Sequence, residues 1–185
     1  MASGYGAASM DQIASKAGVS KQTVYSHFGA KDALFEEIIS SKCESLLGAD
    51  GMHLAPDENP EKMLFESARA FLKVVLHQES ITLYRTILAE CGRFPELAQA
   101  FYRAGPKRAS ERLAEYLGKM VARGTLQMDD PRAAAGLFFA MLRGDLYLQC
   151  ILALRETPSD EEVAAEARMV SAAFMRAYRV PASGD

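Results

Sequence analysis

The chain has 185 residues, of which 49% are apolar, and a formal net charge of −3. This length and composition suit a folded protein with a sizeable core, and the charge excludes a generally basic nucleic-acid binder. The sequence shows neither a long apolar run nor a secretion signal, which predicts a cytoplasmic protein without a membrane span.

The first predicted helix begins after Ser9 and ends at Gly18. Ser9 and Gln12 have the spacing of a capping box. The following apolar residues recur at helical spacing and predict one apolar face: Met10, Ile13, Ala14 and Ala17. Gly18 is expected to stop this helix because glycine adopts the left-handed conformation at little cost. Val19 is expected to fill the angle of the turn.

The second predicted helix begins after Ser20 and has Val24 and Phe28, four residues apart, on its inner face. Two short helices joined by a tight turn form a helix-turn-helix, whose second helix is shaped to enter the major groove of DNA. The remaining side chains of this helix then point outward or lie on its flank. The alternative interpretation is a solvated face on a small structural helix pair.

The outward side chains suit DNA recognition chemically. Gln22 can pair with adenine through two hydrogen bonds, and the Thr23 methyl group can contact thymine. Hydroxyl, imidazole and ammonium donors suit phosphate contacts, and Lys21 can donate to a phosphate or a base edge. The predicted DNA-binding residues are Ser20, Lys21, Gln22, Thr23, Tyr25, Ser26, His27 and Lys31.

These residues also carry a resemblance. The run Ile13–Phe28, followed by Lys31–Phe35, resembles the DNA-binding segment of the tetracycline-repressor (TetR) family: an apolar-Ala pair, Ala-Gly-Val-Ser, Thr-x-Tyr-x-His-Phe and Lys-Asp-Ala-Leu. The resemblance implies a double-stranded DNA operator as the partner. It places Thr23, Tyr25, His27 and Lys31 at or near the DNA backbone. It places Lys21, Gln22 and Ser26 at base-reading or groove-facing positions.

The start of the chain departs from the family pattern. Family members place a full helix before the segment equivalent to Gly4–Gly6, and only three residues precede that segment here. We therefore expect a DNA-binding domain over residues 1–47 that lacks the usual first helix and binds DNA weakly or not at all. The alternative is a helical interaction or ligand-binding module that has lost DNA binding. Residues 1–35 carry a net charge of +1 and the remainder −4, which mildly favours a DNA-binding head.

Residues 48–185 are predicted to form a helical regulatory and dimerisation domain, so the expected fold class is all-α. Proline, glycine and capping residues mark the helix ends. They predict a helix over 31–47, a second that begins at 60 and a third that ends near 92. The next begins at 95, has a kink or break at 105–106 and stops at 124. The last two are predicted over 132–154 and from 159. The last of these begins with a second capping box, formed by Ser159 and Glu162.

The predicted helix over 132–154 is apolar around most of its circumference, apart from Arg143, Gly144 and Asp145. A helix that is apolar all round requires burial on every side. The final helix is amphipathic, with Ala172 and Ala173 beside a phenylalanine. These last two helices predict a homodimer with a four-helix interface; the alternative is a monomeric bundle.

Residues 85–105, with 124–126 and 130–134, resemble the regulatory domain of the AefR-like branch of the family. The resemblance implies a ligand-responsive regulator, most simply a repressor that binds a palindromic operator as a dimer and is released by a small hydrophobic effector. Candidate pocket residues are Phe71, Val75, Arg85, Leu88, Phe101, Tyr102, Phe138 and Met141. The alternative is that most of these are plain core. Arg85 and Glu90 are expected either to form a buried pair or to orient the ligand.

The sequence indicates neither an enzyme nor a metalloprotein. Cys43, Cys91 and Cys150 are widely separated and are most simply reduced thiols, with a redox sensor as the alternative. The three histidines are scattered and do not have metal-ligand spacing. Phosphate-binding glycine loops, GxSxG, HExxH and ExxH pairs are all missing from the sequence. We therefore expect no catalytic residues, no metal and no cofactor.

Overall fold

A computed structural model describes the backbone of residues 9–47 and 59–180, and the side chains of these residues except 42–47. Within these ranges the chain forms ten α-helices and one π-helical segment. They are α1 (Met10–Ala17), α2 (Lys21–Phe28), α3 (Lys31–Leu47), α4 (Pro60–Val75), α5 (Gln78–Glu90), α6 (Pro95–Tyr102), the π segment (Arg103–Lys107), α7 (Arg108–Ala122), α8 (Pro131–Leu142), α9 (Asp145–Ile151) and α10 (Asp160–Tyr178). The predicted all-α class is confirmed. The expectation about the family's first helix concerns residues that lie outside the described ranges.

Both predicted capping boxes are present. The Ser9 hydroxyl accepts the backbone N–H of Gln12 at 3.2 Å, and the Gln12 side chain accepts the Ser9 N–H at 3.1 Å. Ser159 and Glu162 make the same reciprocal pair at the start of α10. These caps satisfy backbone donors that a helix start leaves unpaired, so local sequence alone determines where α1 and α10 begin.

The predicted helix over 132–154 is wrong as a single element. α8 ends at Leu142, and α9 begins at Asp145 after Gly144, which has φ −71° and ψ −152°. Glycine at this position departs from helical geometry at little steric cost, and a Cβ added there would lie 3.2 Å from the Met141 carbonyl oxygen. The polar interruption at residues 143–145 marks the position of this break, but the apolar pattern resumes after it and favoured a single helix.

The Gly105-Pro106 interruption is neither a simple kink nor a loop. The chain remains helical there as the π segment, with Pro106 inside it. Proline has no N–H to donate to the preceding turn, and a wider π turn accommodates the lost hydrogen bond. The sequence therefore predicted the position of the irregularity, and the structure shows its form.

The described part of the chain divides into two compact units, one within residues 1–43 and 82–107 and the other within residues 44–81 and 108–185. The second unit begins close to the predicted domain boundary at 47/48. The first unit also includes 82–107, which the sequence interpretation assigned to the C-terminal domain. The domain boundaries themselves stay a prediction.

The first unit contains two apolar clusters. One lies among α1, α2 and the start of α3, and its buried members are Met10, Ala14, Val24 and Leu34. The other joins α3 to α5 and α6 through Phe35, Ile39, Ile87, Leu97, Ala100 and Ala104. An ion pair supplements it, since Glu36 accepts hydrogen bonds from Arg103 at 3.0 Å. Residues 82–107 are therefore packed on the helix that follows α2.

The second unit has the largest core. Its aromatic centre includes Phe71 beside Phe139, with ring centroids 4.7 Å apart, and Phe138 edge-on to Phe174 at 5.2 Å. α4 and α10 lie side by side, and α7 packs against α8. Throughout the described ranges, every helix is too short or too polar to span a lipid bilayer.

Candidate nucleic-acid interface

The turn between α1 and α2 is a Schellman motif. Gly18 has φ +68° and its N–H donates to the Ser15 carbonyl, while the Val19 N–H donates to the Ala14 carbonyl. Val19 is 44% exposed, so the expectation that it fills the angle is wrong. The two turn hydrogen bonds fix its backbone and leave its side chain on the surface. The buried residues Met10, Ala14 and Val24 hold the two helices together instead.

The predicted apolar face of α1 is narrower than expected. Met10 and Ala14 are buried, whereas Ile13 is half-buried and Ala17 is exposed. On α2, Val24 is buried and Phe28 is half-buried, as expected for the inner face. The helix pair therefore has a compact inner side and leaves most of the α2 circumference open.

The outer side of α2 is polar and exposed along its whole length. Ser20 caps the helix, because its hydroxyl oxygen accepts the Thr23 N–H at 3.1 Å. The Ser20 and Thr23 hydroxyls lie 2.8 Å apart, and the Ser26 hydroxyl donates to the Thr23 carbonyl at 3.0 Å. The exposed predicted residues are Ser20, Lys21, Gln22, Thr23, Tyr25, Ser26 and His27. The structure thus leaves these seven exposed around most of the α2 circumference; their division between bases and phosphates stays a prediction.

Lys31, the eighth predicted residue, has a different environment. It is half-buried in the first turn of α3. Partial burial lowers the pKa of its ammonium below the ordinary value, and the charges of Glu96 and Glu90 oppose that shift. A lysine so placed next to the end of α2 suits a phosphate contact at the edge of the surface.

Sequence reasoning missed one contact at this surface. The Lys21 ammonium lies 2.7 Å from a carboxylate oxygen of Asp11, and 5.7 Å from the centroid of the Tyr25 ring. The hydrogen bond and the charge of Asp11 raise the pKa of Lys21. The pair joins positions ten residues apart across the turn, so only the angle between α1 and α2 reveals it.

A short capped helix with an open polar side, fixed by a left-handed turn to a second short helix, defines a helix-turn-helix DNA-binding protein. Two family models match the chain: bacterial regulatory proteins of the tetR family over residues 1–38, and the C-terminal domain of AefR-like transcriptional repressors over residues 62–180. The chain belongs to the TetR family of DNA-binding transcriptional regulators. Members of this family are non-enzymatic and bind DNA operators as homodimers.

Individual relatives agree with this assignment. A TetR-family regulator structure from Mesorhizobium loti is 33% identical, with a TM-score of 0.74 and coverage of 95% of this chain and 89% of that one. The flavonoid-responsive regulator FrrA is 35% identical, with a TM-score of 0.76 and coverage of 98% and 91%. The transcriptional activator FasR of Mycolicibacterium smegmatis is 32% identical over 74 residues. That match spans 40% of this chain and only 34% of the length of FasR.

The candidate pocket residues are divided between the two compact units. Arg85, Leu88, Phe101 and Tyr102 lie in the first unit, and Phe71, Val75, Phe138 and Met141 lie in the second. Leu88 and Tyr102 are 50% and 59% exposed, whereas Phe138 is fully buried in the second core. Neither Arg85 nor Glu90 is buried, so the expectation of a buried pair is wrong. Both residues lie on α5 and are half-buried, so each retains some contact with water.

The other chemically active side chains form no further site among the described residues. Cys91 and Cys150 are not joined in a disulfide bond, and the side chain of Cys43 lies outside the described set. In the part of the chain that the structure describes, no three histidine, cysteine or acidic side chains are grouped to hold a metal ion.

Proposed function

We propose that the protein is a ligand-responsive repressor that binds a near-palindromic operator as a homodimer. The exposed polar side of α2 carries this proposal: Gln22, Thr23 and Ser26 are open to solvent, while Val24 anchors the opposite side. One such helix reads few base pairs. Two copies held about one helical turn of DNA apart read a two-fold operator with useful specificity.

An uncovered apolar face supports the homodimer. The outer side of α8 carries Ala133, Gly136, Leu137 and Ala140, all of them exposed, and Leu137 is 48% exposed. On α10, Met169 is 58% exposed. Each helix already buries its other side in the core of the second unit. The exposed apolar faces would be shielded from water by contact with a second copy of the chain. Small residues on α8 permit a close helix approach. The helix predicted over 132–154 comprises α8 and α9, so the proposed interface of the last two helices involves α8, α9 and α10.

A small hydrophobic effector is the proposed ligand. FrrA is named as flavonoid-responsive, and its similarity extends over 98% of this chain. Planar polyphenols are therefore the first class to test. The candidate pocket residues remain a proposal, with Phe71 and Val75 in the second unit as the first positions to substitute. The ligand releases DNA only if it binds the DNA-incompetent state more tightly.

Operator binding is tested with the full chain and duplexes selected from a random pool. Gln22→Ala is expected to weaken binding to the selected operator by about 10- to 100-fold, equivalent to about 1–3 kcal/mol for a lost base contact. Gln99→Ala, at an exposed position of α6, is the matched control and should leave affinity unchanged. Sequence-independent binding, or none at low salt, would favour the alternative of an interaction module without an operator.

The effector is tested separately by thermal shift and by competition with the operator. A flavonoid that is a ligand should raise the melting temperature of the free protein and lower its affinity for the operator. Stabilisation without release from DNA would contradict the repressor mechanism. A transcription assay then separates repression from activation, because repression requires lower transcript levels when the unliganded protein is bound.

A further inference from the structure

The Lys21 ammonium is turned back onto α1. Its neighbours are the Asp11 carboxylate at 2.7 Å and the Tyr25 ring, whose centroid is 5.7 Å away. Lys21 and Asp11 keep 60% and 56% of their side-chain surfaces exposed, so DNA can reach both groups. Lys21, in the first turn of α2, therefore already has a counterion within the protein.

The position of Asp11 is fixed by elements that do not involve Lys21. The capping box of α1 is completed by Ser9 and Gln12, which leaves the Asp11 carboxylate available for another partner. Asp11 lies in the first turn of α1, where the helix dipole favours a negative charge. The Schellman turn and the buried cluster set the angle between α1 and α2, and with it the distance between the two charges.

This pairing has a consequence for DNA binding. A solvent-exposed lysine that moves to a phosphate releases a condensed counterion, which makes affinity rise as salt falls. If Lys21 left Asp11, the carboxylate would lose its partner and remain beside the negatively charged backbone. Phosphate and Asp11 therefore compete for one ammonium, and transfer to phosphate carries the cost of this repulsion.

We propose that Asp11 is a specificity-determining residue that acts as a built-in counterion for Lys21 and withholds this lysine from the phosphates of non-operator DNA. The base-reading side chains Gln22, Thr23 and Ser26 remain exposed, so the pair reduces sequence-independent affinity without covering the operator-reading surface. The inference rests on the proposed operator binding and identifies a residue that sets the ratio of specific to non-specific affinity.

The test is the salt dependence of binding to a duplex that lacks the operator, measured by fluorescence anisotropy. Asp11→Asn should steepen the slope of log affinity against log salt by about 0.9, the value for one further phosphate contact. At 0.1 M salt this corresponds to roughly five- to tenfold tighter binding. In a Lys21→Gln background the same Asp11 substitution should leave the slope unchanged, so the D11N/K21Q double variant should have the slope of K21Q alone.

Two control variants separate this effect from changes in fold or in total charge. Asp11→Glu keeps the carboxylate and should behave like the wild-type chain. Asp32→Asn removes one negative charge from the first turn of α3 and should leave the slope nearly unchanged. Equal steepening by D32N and D11N would overturn the inference, since the effect would then come from net charge alone.

Other results also decide the question. Equal steepening by D11N in the wild-type and K21Q backgrounds would mean that Lys21 does not make the additional phosphate contact, which overturns the counterion role. Binding by both the wild-type chain and D11N with the same slope overturns the inference and leaves operator binding intact. Failure of both to bind any duplex at low salt would overturn the proposed function, and this inference with it.

Discussion

Gly18 shows how one residue determines the helix-turn-helix. Its φ of +68° lies in the left-handed region, and a Cβ added there would meet nothing within 4 Å. Gly18→Ala should therefore introduce backbone strain without a steric clash. We expect a loss of about 1–2 kcal/mol in the free energy of unfolding, measured by urea denaturation.

Gly118 provides the matched control for this substitution. It lies inside α7, where the added methyl group would also meet nothing within 4 Å. Gly118→Ala should stabilise the protein by about 0.5–1 kcal/mol, because alanine has the higher helix propensity. Changes of the same sign at both positions would contradict the assigned turn conformation.

Glu162 links the capping box of α10 to the pH dependence of stability. Its carboxylate accepts hydrogen bonds from Arg155 at 2.6 Å and from the Ser159 N–H at 2.9 Å, and both lower its pKa in the folded protein. A lowered folded-state pKa gives stability that is present above the unfolded pKa and is lost as pH falls through the folded value.

We expect Glu162→Gln to reduce the loss of stability that the wild-type chain shows as pH falls from about 5 toward 3. Glutamine still accepts the Ser159 N–H, so the variant removes the charge and retains a cap. Denaturant unfolding across this pH range measures the effect. Glu161→Gln changes a neighbouring exposed acid of the same helical turn, and an equal response from both variants would contradict a special role for Glu162.

At the scale of the elements, the Glu36–Arg103 pair ties α3 to the π segment within the first unit. Both Nε and Nη2 of Arg103 lie 3.0 Å from one Glu36 oxygen. Because both side chains are partly exposed, we expect a modest coupling of about 0.5 kcal/mol in a double-mutant cycle of Glu36→Gln and Arg103→Gln.

A second cycle on Glu115 and Lys119 provides the comparison. This pair lies four residues apart within α7, with a distance of 2.7 Å between its charged atoms. Both cycles are measured as free energies of unfolding in urea at low and at moderate salt. A Glu36–Arg103 coupling that is zero at low salt would contradict a stabilising role for this contact.

Helices that begin with a local capping signal could be predicted from the sequence. Ser9 with Gln12 and Ser159 with Glu162 mark helix starts whose hydrogen-bond partners lie only three residues away. The break at Gly144 was not predicted, because the apolar pattern resumes after the interruption at residues 143–145. Contacts between helices could not be predicted from the sequence either. The Lys21–Asp11 contact depends on an interhelical angle that no sequence spacing specifies.

The candidate site likewise has features that the sequence predicts and features that it does not. The exposure of Gln22, Thr23 and Ser26 follows from helical periodicity once Val24 is placed inside. The packing of residues 82–107 against α3 does not follow from helical periodicity. It depends on contacts between residues about 50 positions apart, such as Phe35 and Ile87. From the sequence alone, the apolar residues of α5 and α6 are therefore equally suitable for a pocket and for this core.

At the scale of the whole molecule, the outer face of α8 gives a test of assembly. Leu137→Glu should place a charge in the proposed homodimer interface and raise the dimer dissociation constant at least tenfold, as measured by sedimentation velocity. The expected size corresponds to roughly 1.4 kcal/mol or more for a charge left without a partner. Operator affinity should fall in parallel, because one α2 reads only half of the site.

Leu88→Glu provides the control for this substitution. Leu88 is exposed to a similar extent, at 50%, but it lies on α5 in the first unit, away from α8 and α10 in the chain. It should leave the dimer dissociation constant unchanged. A wild-type chain that sediments as a monomer at micromolar concentration would contradict the homodimer itself.

The end of α10 has a practical consequence for protein engineering. Beyond Tyr178 the backbone does not leave the surface at once: the Tyr178 carbonyl accepts the Gln127 N–H at 2.8 Å, and Leu126 and Arg179 form an isolated antiparallel bridge. Arg179 also pairs with Glu61 at 3.1 Å. A fluorescent label or fusion partner joined after Val180 would therefore start from a fixed anchor point, so its position would report on the second unit and not on a frayed helix end.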